Sequence, residues 1–187
     1  MRSPIVAFGL LLLLAGSLPS CKKWQDPAPQ DNPQISNPYC NDPDAVNYNW
    51  GFPGKPNNSV CYYATDLFQG RYLLHDTIYD PTSELFLAAD SMEIVIAKTD
   101  KKKMYLDGFC PSGQKLFFTT QAAYLATVDT TVGDSLTIHP GQIFCRHQDT
   151  VVGALTRDKV DSSLIYVSFT VVNDTGTTIH VGRARRK

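Results

Sequence analysis

Residues 67–187 predict an all-β domain, an antiparallel up-and-down barrel of about eight strands, with a two-sheet β-sandwich as the alternative. Short apolar segments recur at close spacing through this region, turn signals separate them, and no window carries a convincing 3.6-residue period. Short connections favour a meander over crossovers.

The first strand falls in Phe68–Tyr79, where Tyr72, Leu74 and Ile78 alternate with polar neighbours. Ser83–Asp90 has the composition for two helical turns. Met92, Ile94 and Ile96 then alternate with Glu93, Val95 and Ala97, and Thr99-Asp100-Lys101 turns into Met104 and Leu106. Asp107-Gly108 is a further turn signal. Leu116–Phe118 and Tyr124–Val128 are the next apolar pieces, followed by Leu136 with Ile138, Ile143 with Cys145, and Val151–Leu155. The clearest strand is Leu164–Val172, with Ile165, Val167, Phe169 and Val171 on one face and Tyr166, Ser168 and Thr170 on the other. Asn173-Asp174-Thr175-Gly176 turns it into Ile179 and Val181. The closing Arg183, Arg185, Arg186 and Lys187 read as a solvated strand end or a frayed tail.

The opening Phe68-Gln69-Gly70-Arg71-Tyr72 resembles the G-x-[YW] motif that begins the first strand of lipocalin-like barrels. The later order, through Asp107-Gly108-Phe109, then 134–142, then a Gly-bearing strand and a long final hairpin, is similar to small lipocalin-like lipoproteins of Bacteroidota. The resemblance implies a barrel that holds a small apolar or amphipathic ligand. Tyr72 stands where that pattern has a Trp, which weakens the transfer of a ligand-binding role.

Ahead of the β domain the chain has three distinct stretches. Residues 1–20 carry Arg2, an apolar run from Pro4 to Gly16 and then small residues, the layout of a secretory signal rather than a spanning helix. Leu18-Pro19-Ser20-Cys21 resembles the bacterial lipobox, with Pro19 departing from its commonest form. The resemblance implies that Cys21 is the mature N-terminus and carries lipid, an anchor to a cell-envelope membrane, the outer membrane in particular. The alternative is an ordinary secreted chain with a free Cys21. Residues 21–39 are rich in Pro, Asp, Asn and Gln without periodicity and predict an extended flexible linker.

Residues 40–63 run Cys40-Asn41-Asp42-Pro43-Asp44-Ala45-Val46-Asn47-Tyr48-Asn49, a Gly/Pro/Asn-rich turn, and Asn58-Ser59-Val60-Cys61-Tyr62-Tyr63. They resemble a short Cys-flanked module that recurs in exported Bacteroidota proteins. Too short to build a core, the stretch needs a disulfide to hold it. Asp42 and Asp44 make calcium conceivable, but no twelve-residue EF-hand spacing is present and structural turns are the favoured reading.

Five cysteines are an odd count, and lipid on Cys21 leaves four. Three connectivities are open to them. Position favours Cys40–Cys61 within the polar segment and Cys110–Cys145 within the strand-rich one, in the oxidising surroundings that export implies. No paired C-x-x-C knuckle supports zinc.

Chemistry is sparse. The chain has 43% hydrophobic and 19% charged residues, enough apolar content for a packed core, and a formal net charge of -1. Loss of the leader removes Arg2 alone, leaving 16 basic side chains against 18 acidic, a balance that gives no reason to expect nucleic acid as a partner. No G-x-S-x-G, H-E-x-x-H or Gly-rich phosphate loop occurs, so no catalytic, metal or cofactor-binding residues are assigned and no enzyme is expected. His75, His139, His147 and His180 are scattered and read as surface or rim residues. Asp76, Asp80, Glu84 and Asp90 read as loop solubilisers, and Phe86, Phe109, Phe117, Phe118, Tyr124 and Phe144 as core before cavity lining. The expectation is a noncatalytic envelope lipoprotein, joined to the membrane by its N-terminal lipid and holding a small apolar or amphipathic ligand. The competing expectation is a structural module that shows a surface to a protein or glycan at the cell surface.

Overall fold

The computed structural model describes residues 33–49, 54–130 and 141–187. The signal segment, Cys21, most of the linker, the expected strand at Leu136–Ile138 and His139 lie outside the described residues. Among the described residues no helix is long and apolar enough to cross a membrane.

Among the described residues eleven strands and one short α-helix form in the order β1 (Pro38–Tyr39), β2 (Lys55–Pro56), α1 (Ala64–Phe68), β3 (Gly70–Tyr79), β4 (Phe86–Lys98), β5 (Lys103–Asp107), β6 (Leu116–Ala122), β7 (Leu125–Val128), β8 (Gln142–Phe144), β9 (Arg146–Arg157), β10 (Leu164–Asn173) and β11 (Gly176–Arg186). Consecutive strands pair antiparallel from β3 to β7, β7 pairs with β9, and β9, β10 and β11 follow in turn. β11 then returns to β3 through Ile179↔Tyr79 down to Arg186↔Tyr72 and closes the sheet. The result is a closed eight-stranded antiparallel barrel with β8 added on β9. Each barrel strand has a partner on both sides, so the sandwich alternative falls.

Period-2 alternation puts Tyr72, Leu74, Ile94, Ile96, Met104, Leu106, Leu116, Phe118, Leu155, Ile165, Val167 and Phe169 into one buried interior cluster. Gly153 faces this interior on β9, opposite Phe169. A Cβ there would lie 2.1 Å from the Ser168 carbonyl oxygen and 2.9 Å from Phe169 Cα, and φ is 143°, so only glycine fits.

The segment read as helical, Ser83–Asp90, belongs mostly to β4, a 13-residue strand whose Ala88, Ala89 and Asp90 pair with Ile78, Thr77 and Asp76. The cross-strand ladder overrides a weak local helical pattern. Asp80 organises the turn before it. Its Oδ1 accepts from the Thr82 and Ser83 N–H groups and from the Ser83 hydroxyl, while Glu84 takes φ 54°.

The eighth barrel position is filled in two pieces. β7 pairs with Thr156, Leu155 and Ala154 of β9, and β8 pairs further along the same strand with Val151 and Thr150. At the break, the Gln142 side chain stands in for missing backbone. Its Oε1 accepts from Phe117 N–H at 2.7 Å, and its Nε2 donates to the Phe117 and Asp129 carbonyls at 3.0 Å each.

The barrel end at which β3 begins is plugged. Phe68 of α1 is fully buried, and the Tyr72 hydroxyl donates to its carbonyl at 2.7 Å. Arg186 Nη2 donates to the Tyr72 hydroxyl and to the Leu67 and Gln69 carbonyls, with the guanidinium 5.4 Å from the Tyr72 ring centre. Burial pushes the Tyr72 phenol up, against the opposing pull of Arg186. The closing basic residues are therefore not a frayed tail. Arg186 clamps the plug, Lys187 bonds Glu93, and Arg185 pairs with Asp161, because β11 continues in register to the chain end.

The Cys40–Cys61 disulfide, with Cα atoms 4.9 Å apart, closes the small N-terminal module, and β1 and β2 pair in parallel beside it. Its acids seize the lysine-rich β4–β5 turn. Lys101 Nζ lies 2.6 Å from Asp42, Lys102 2.6 Å from Asp44, and Lys98 2.7 Å from Asp66 on α1. Hydrogen bonds from Lys101, the Tyr63 hydroxyl and the Asp44 N–H pull the Asp42 carboxyl down to about 2. The two carboxylates weighed for calcium are thus engaged with lysines.

Candidate functional site

The opposite barrel end is its mouth. The β5–β6 loop, the β8–β9 junction and the tip of the β10–β11 hairpin meet there. Cys110 and Cys145 are disulfide-bonded, with Cα atoms 5.5 Å apart, and tie the first two of these segments together. Cys145 turns the chain from β8 into β9 with φ 57°. A pocket of about 650 Å³ opens at this rim, bounded by the disulfide, Pro111, Ser112, Arg146, Asp149 and residues 173–175. That volume lies within the usual range for a small-molecule site. Asn173 Oδ1 fixes the hairpin tip by accepting from the Thr175 N–H and hydroxyl. Among the described residues the side chains of Arg146, Asp149 and Asp174 have no hydrogen bond or ion pair, so both signs of charge face the pocket free. A second open groove, also of about 650 Å³, lies at the break between β7 and β8 beside Phe117, Asp129 and Gln142.

Below the rim the lining turns apolar and then polar again. Along the β10–β11 ladder the pairs run Asn173↔Gly176, Val171↔Thr178 and Phe169↔His180. The Phe109 ring stands edge-on to both Phe169, at 5.4 Å, and His180, at 5.6 Å. His180 Nδ1 lies 2.6 Å from Asp76 Oδ2, and His180 Nε2 lies 3.2 Å from the Thr178 hydroxyl. Asp76 is 2% exposed. Its second oxygen, Oδ1, is buried with no hydrogen-bond partner among the described residues.

The sequence predicts Asp76 and Asp90 as loop solubilisers and His180 as a surface or rim histidine, and the structure corrects all three, with Asp90 inside β4 opposite Asp76. Asp76 sits within β3 on the inward face shared by Leu74 and Ile78, and His180 sits within β11 against Phe109. His75 lies on the outer face of β3, bonded to Ser91, so the described histidines do not converge. The side chain of His147 lies outside the described residues. Of the aromatics read as core, Phe118 is buried and Phe109 packs on the core, whereas Phe86, Phe117 and Tyr124 are exposed. The Phe144 side chain is outside the described residues. Among the described residues no group of three or more His, Cys, Asp or Glu side chains is placed to hold a metal ion.

Fold and site together define a closed, plugged β-barrel with one open, charged rim. No protein-family model matches the chain, and no curated protein matches it. Among solved structures it is similar to a redesigned β-barrel at 15% identity and a TM-score of 0.42, over 66% of this chain and 95% of that one. It is also similar to a structural-genomics protein of unknown function from Bacteroides ovatus, at 14% identity and a TM-score of 0.36, over 64% of this chain and 42% of that one. The barrel assignment rests on the chain's own strand pairing.

Proposed function

We propose that this chain is a noncatalytic envelope lipoprotein, held at the outer membrane by lipid on Cys21, whose barrel binds a small amphipathic ligand at the mouth. The observation that carries the binding role is the rim pocket, with unpaired Arg146, Asp149 and Asp174 above the Phe109–Phe169–His180 layer. A site for an amphipathic molecule needs this order, polar groups that orient one end and an apolar wall for the other. The interior below is filled by side chains packed on one another, which favours the mouth over the lumen. The anchor is supported by the lipobox resemblance at Leu18–Cys21 and by the count of cysteines it leaves.

Native mass spectrometry of protein purified from its own envelope tests the binding role. The expected result is a retained small molecule that is lost from the Arg146→Ala/Asp174→Ala double variant. Protein that carries nothing, or a ligand held equally by the double variant, overturns it. A second reading, a module that docks on a protein or glycan, is favoured by Leu85, Phe86 and Leu87. These lie 63%, 61% and 52% exposed beside the β3–β4 turn.

A further inference from the structure

We infer that Asp76 and Asp90 form a receptor for the positively charged end of a ligand, a primary ammonium or a guanidinium group. The inference rests on the barrel being a binding domain and names the chemistry it selects.

Asp76 supplies the first observation. His180 holds Oδ2, and Oδ1 is enclosed within the protein with no donor among the described residues. Buried polar atoms in folded proteins nearly always have a partner, and one left without a partner is costly. The atom is therefore an acceptor awaiting a donor.

Register supplies the second. Asp90 is the direct cross-strand partner of Asp76 in the β3–β4 ladder. Four residues before the buried Ile94, and with no register shift between them, it faces the same side. Side chains opposed in this way lie about 5 Å apart at Cβ, and like charges placed there repel. Asp90 Oδ1 accepts from the neighbouring Ser91 N–H, and among the described residues Oδ2 has no partner and no Lys or Arg pairs with either acid. Two acids held face to face, with the His180 ring on one oxygen of one of them and no lysine or arginine beside either, leave room for a cation.

Asp90 is the exposed member of the pair. β5 pairs with β4 only from Val95 to Lys98, and among the described residues no strand pairs with the second side of β4 before Val95. Ala88 and Asp90 are exposed there, and Phe109 lines the interior beyond. A charged N–H donor can bond the orphan oxygen and neutralise the opposed pair in one placement. A neutral hydroxyl can do only the first, and an anion neither. A bare metal ion would want a third protein ligand, which the described residues do not offer.

The test titrates the mature chain with octylammonium and, separately, with octanol by isothermal calorimetry. Octylammonium is expected to bind at least tenfold more tightly than octanol. Asp90→Asn should weaken octylammonium about tenfold and leave octanol unchanged. Asp100→Asn, which removes one acid from the β4–β5 turn at the plugged end, should change neither. Because Asp90 is exposed, its variant stays informative if Asp76→Asn fails to fold. Equal binding of the two probes overturns the inference, as does a loss with Asp90→Asn that Asp100→Asn reproduces. A crystal structure in saturating octylammonium with only water at Asp76 Oδ1 would do the same. Ammonium selectivity in a protein that carries no ligand from its envelope would sink the binding-domain reading and leave the acid pair standing. A retained ligand without that selectivity would sink the acid pair alone.

Discussion

Gln142 offers the sharpest test of how the barrel is held closed. It is 6% exposed, and its amide replaces a stretch of ladder where β7 has ended and β8 has not taken over. Substitution by Ala deletes three hydrogen bonds, to the Phe117 N–H and to the Phe117 and Asp129 carbonyls. Each such bond contributes about 1 kcal/mol net, and the Phe117 N–H would lose its Gln142 acceptor, so the loss should be about 3 kcal/mol. Gln142→Glu should cost more than Gln142→Ala. A carboxylate keeps the acceptor for Phe117 N–H but turns oxygen against two carbonyl oxygens where the native Nε2 donates. The assay is equilibrium urea unfolding at neutral pH, followed by far-UV circular dichroism with both disulfides intact. With an m-value of about 2 kcal/mol/M, the Ala variant should lower the midpoint by about 1.5 M without changing the slope. A shift under about 0.3 M, or a Glu variant as stable as the native chain, would refute the view that this side chain serves as ladder.

Three further outcomes are expected. Asp42 has its carboxyl lowered to about 2, so its contribution to docking the module is complete above the ordinary carboxylate value and is lost as pH falls through about 2. Hydrogen exchange of residues 40–63 should therefore stay slow at pH 3 and rise towards pH 2, and Asp42→Asn should abolish that step. Gly153→Ala should destabilise the barrel by about 3 kcal/mol, since neither the Ser168 carbonyl nor the Phe169 backbone can withdraw, and thermal unfolding would read it. Replacing Cys40 and Cys61 together by Ala should remove about 3 kcal/mol, given a 21-residue separation, with the loss seen as module cleavage by protease before the barrel unfolds.

The strands most legible in the sequence are those whose two faces differ most. β10 shows Ile165, Val167, Phe169 and Val171 against Tyr166, Ser168 and Thr170, and all four of the first set are buried. β4 was half hidden, because Phe86–Ala89 is apolar without alternation and only its pairing with β3 makes it a strand. The broken eighth strand left little signal, since four residues of β7 and three of β8 are each too short for a period to show. Asp76 was misread for a physical reason. A charge within an apolar alternation looks like the start of a turn unless its partner is known, and His180 lies 104 residues away. The lysine clamp on the module was equally invisible, with Lys101 59 residues from Asp42. At the mouth, the cysteines could be placed in the strand-rich segment, but the free charges of Arg146, Asp149 and Asp174 acquire meaning only once three loops converge.

The most direct measurement is a crystal structure of the protein purified from its native host, with no ligand added. The account predicts density for a small molecule at the rim between Arg146, Asp149 and the 173–175 tip. An empty rim, or density confined to the packed interior below Phe118 and Phe169, would contradict it.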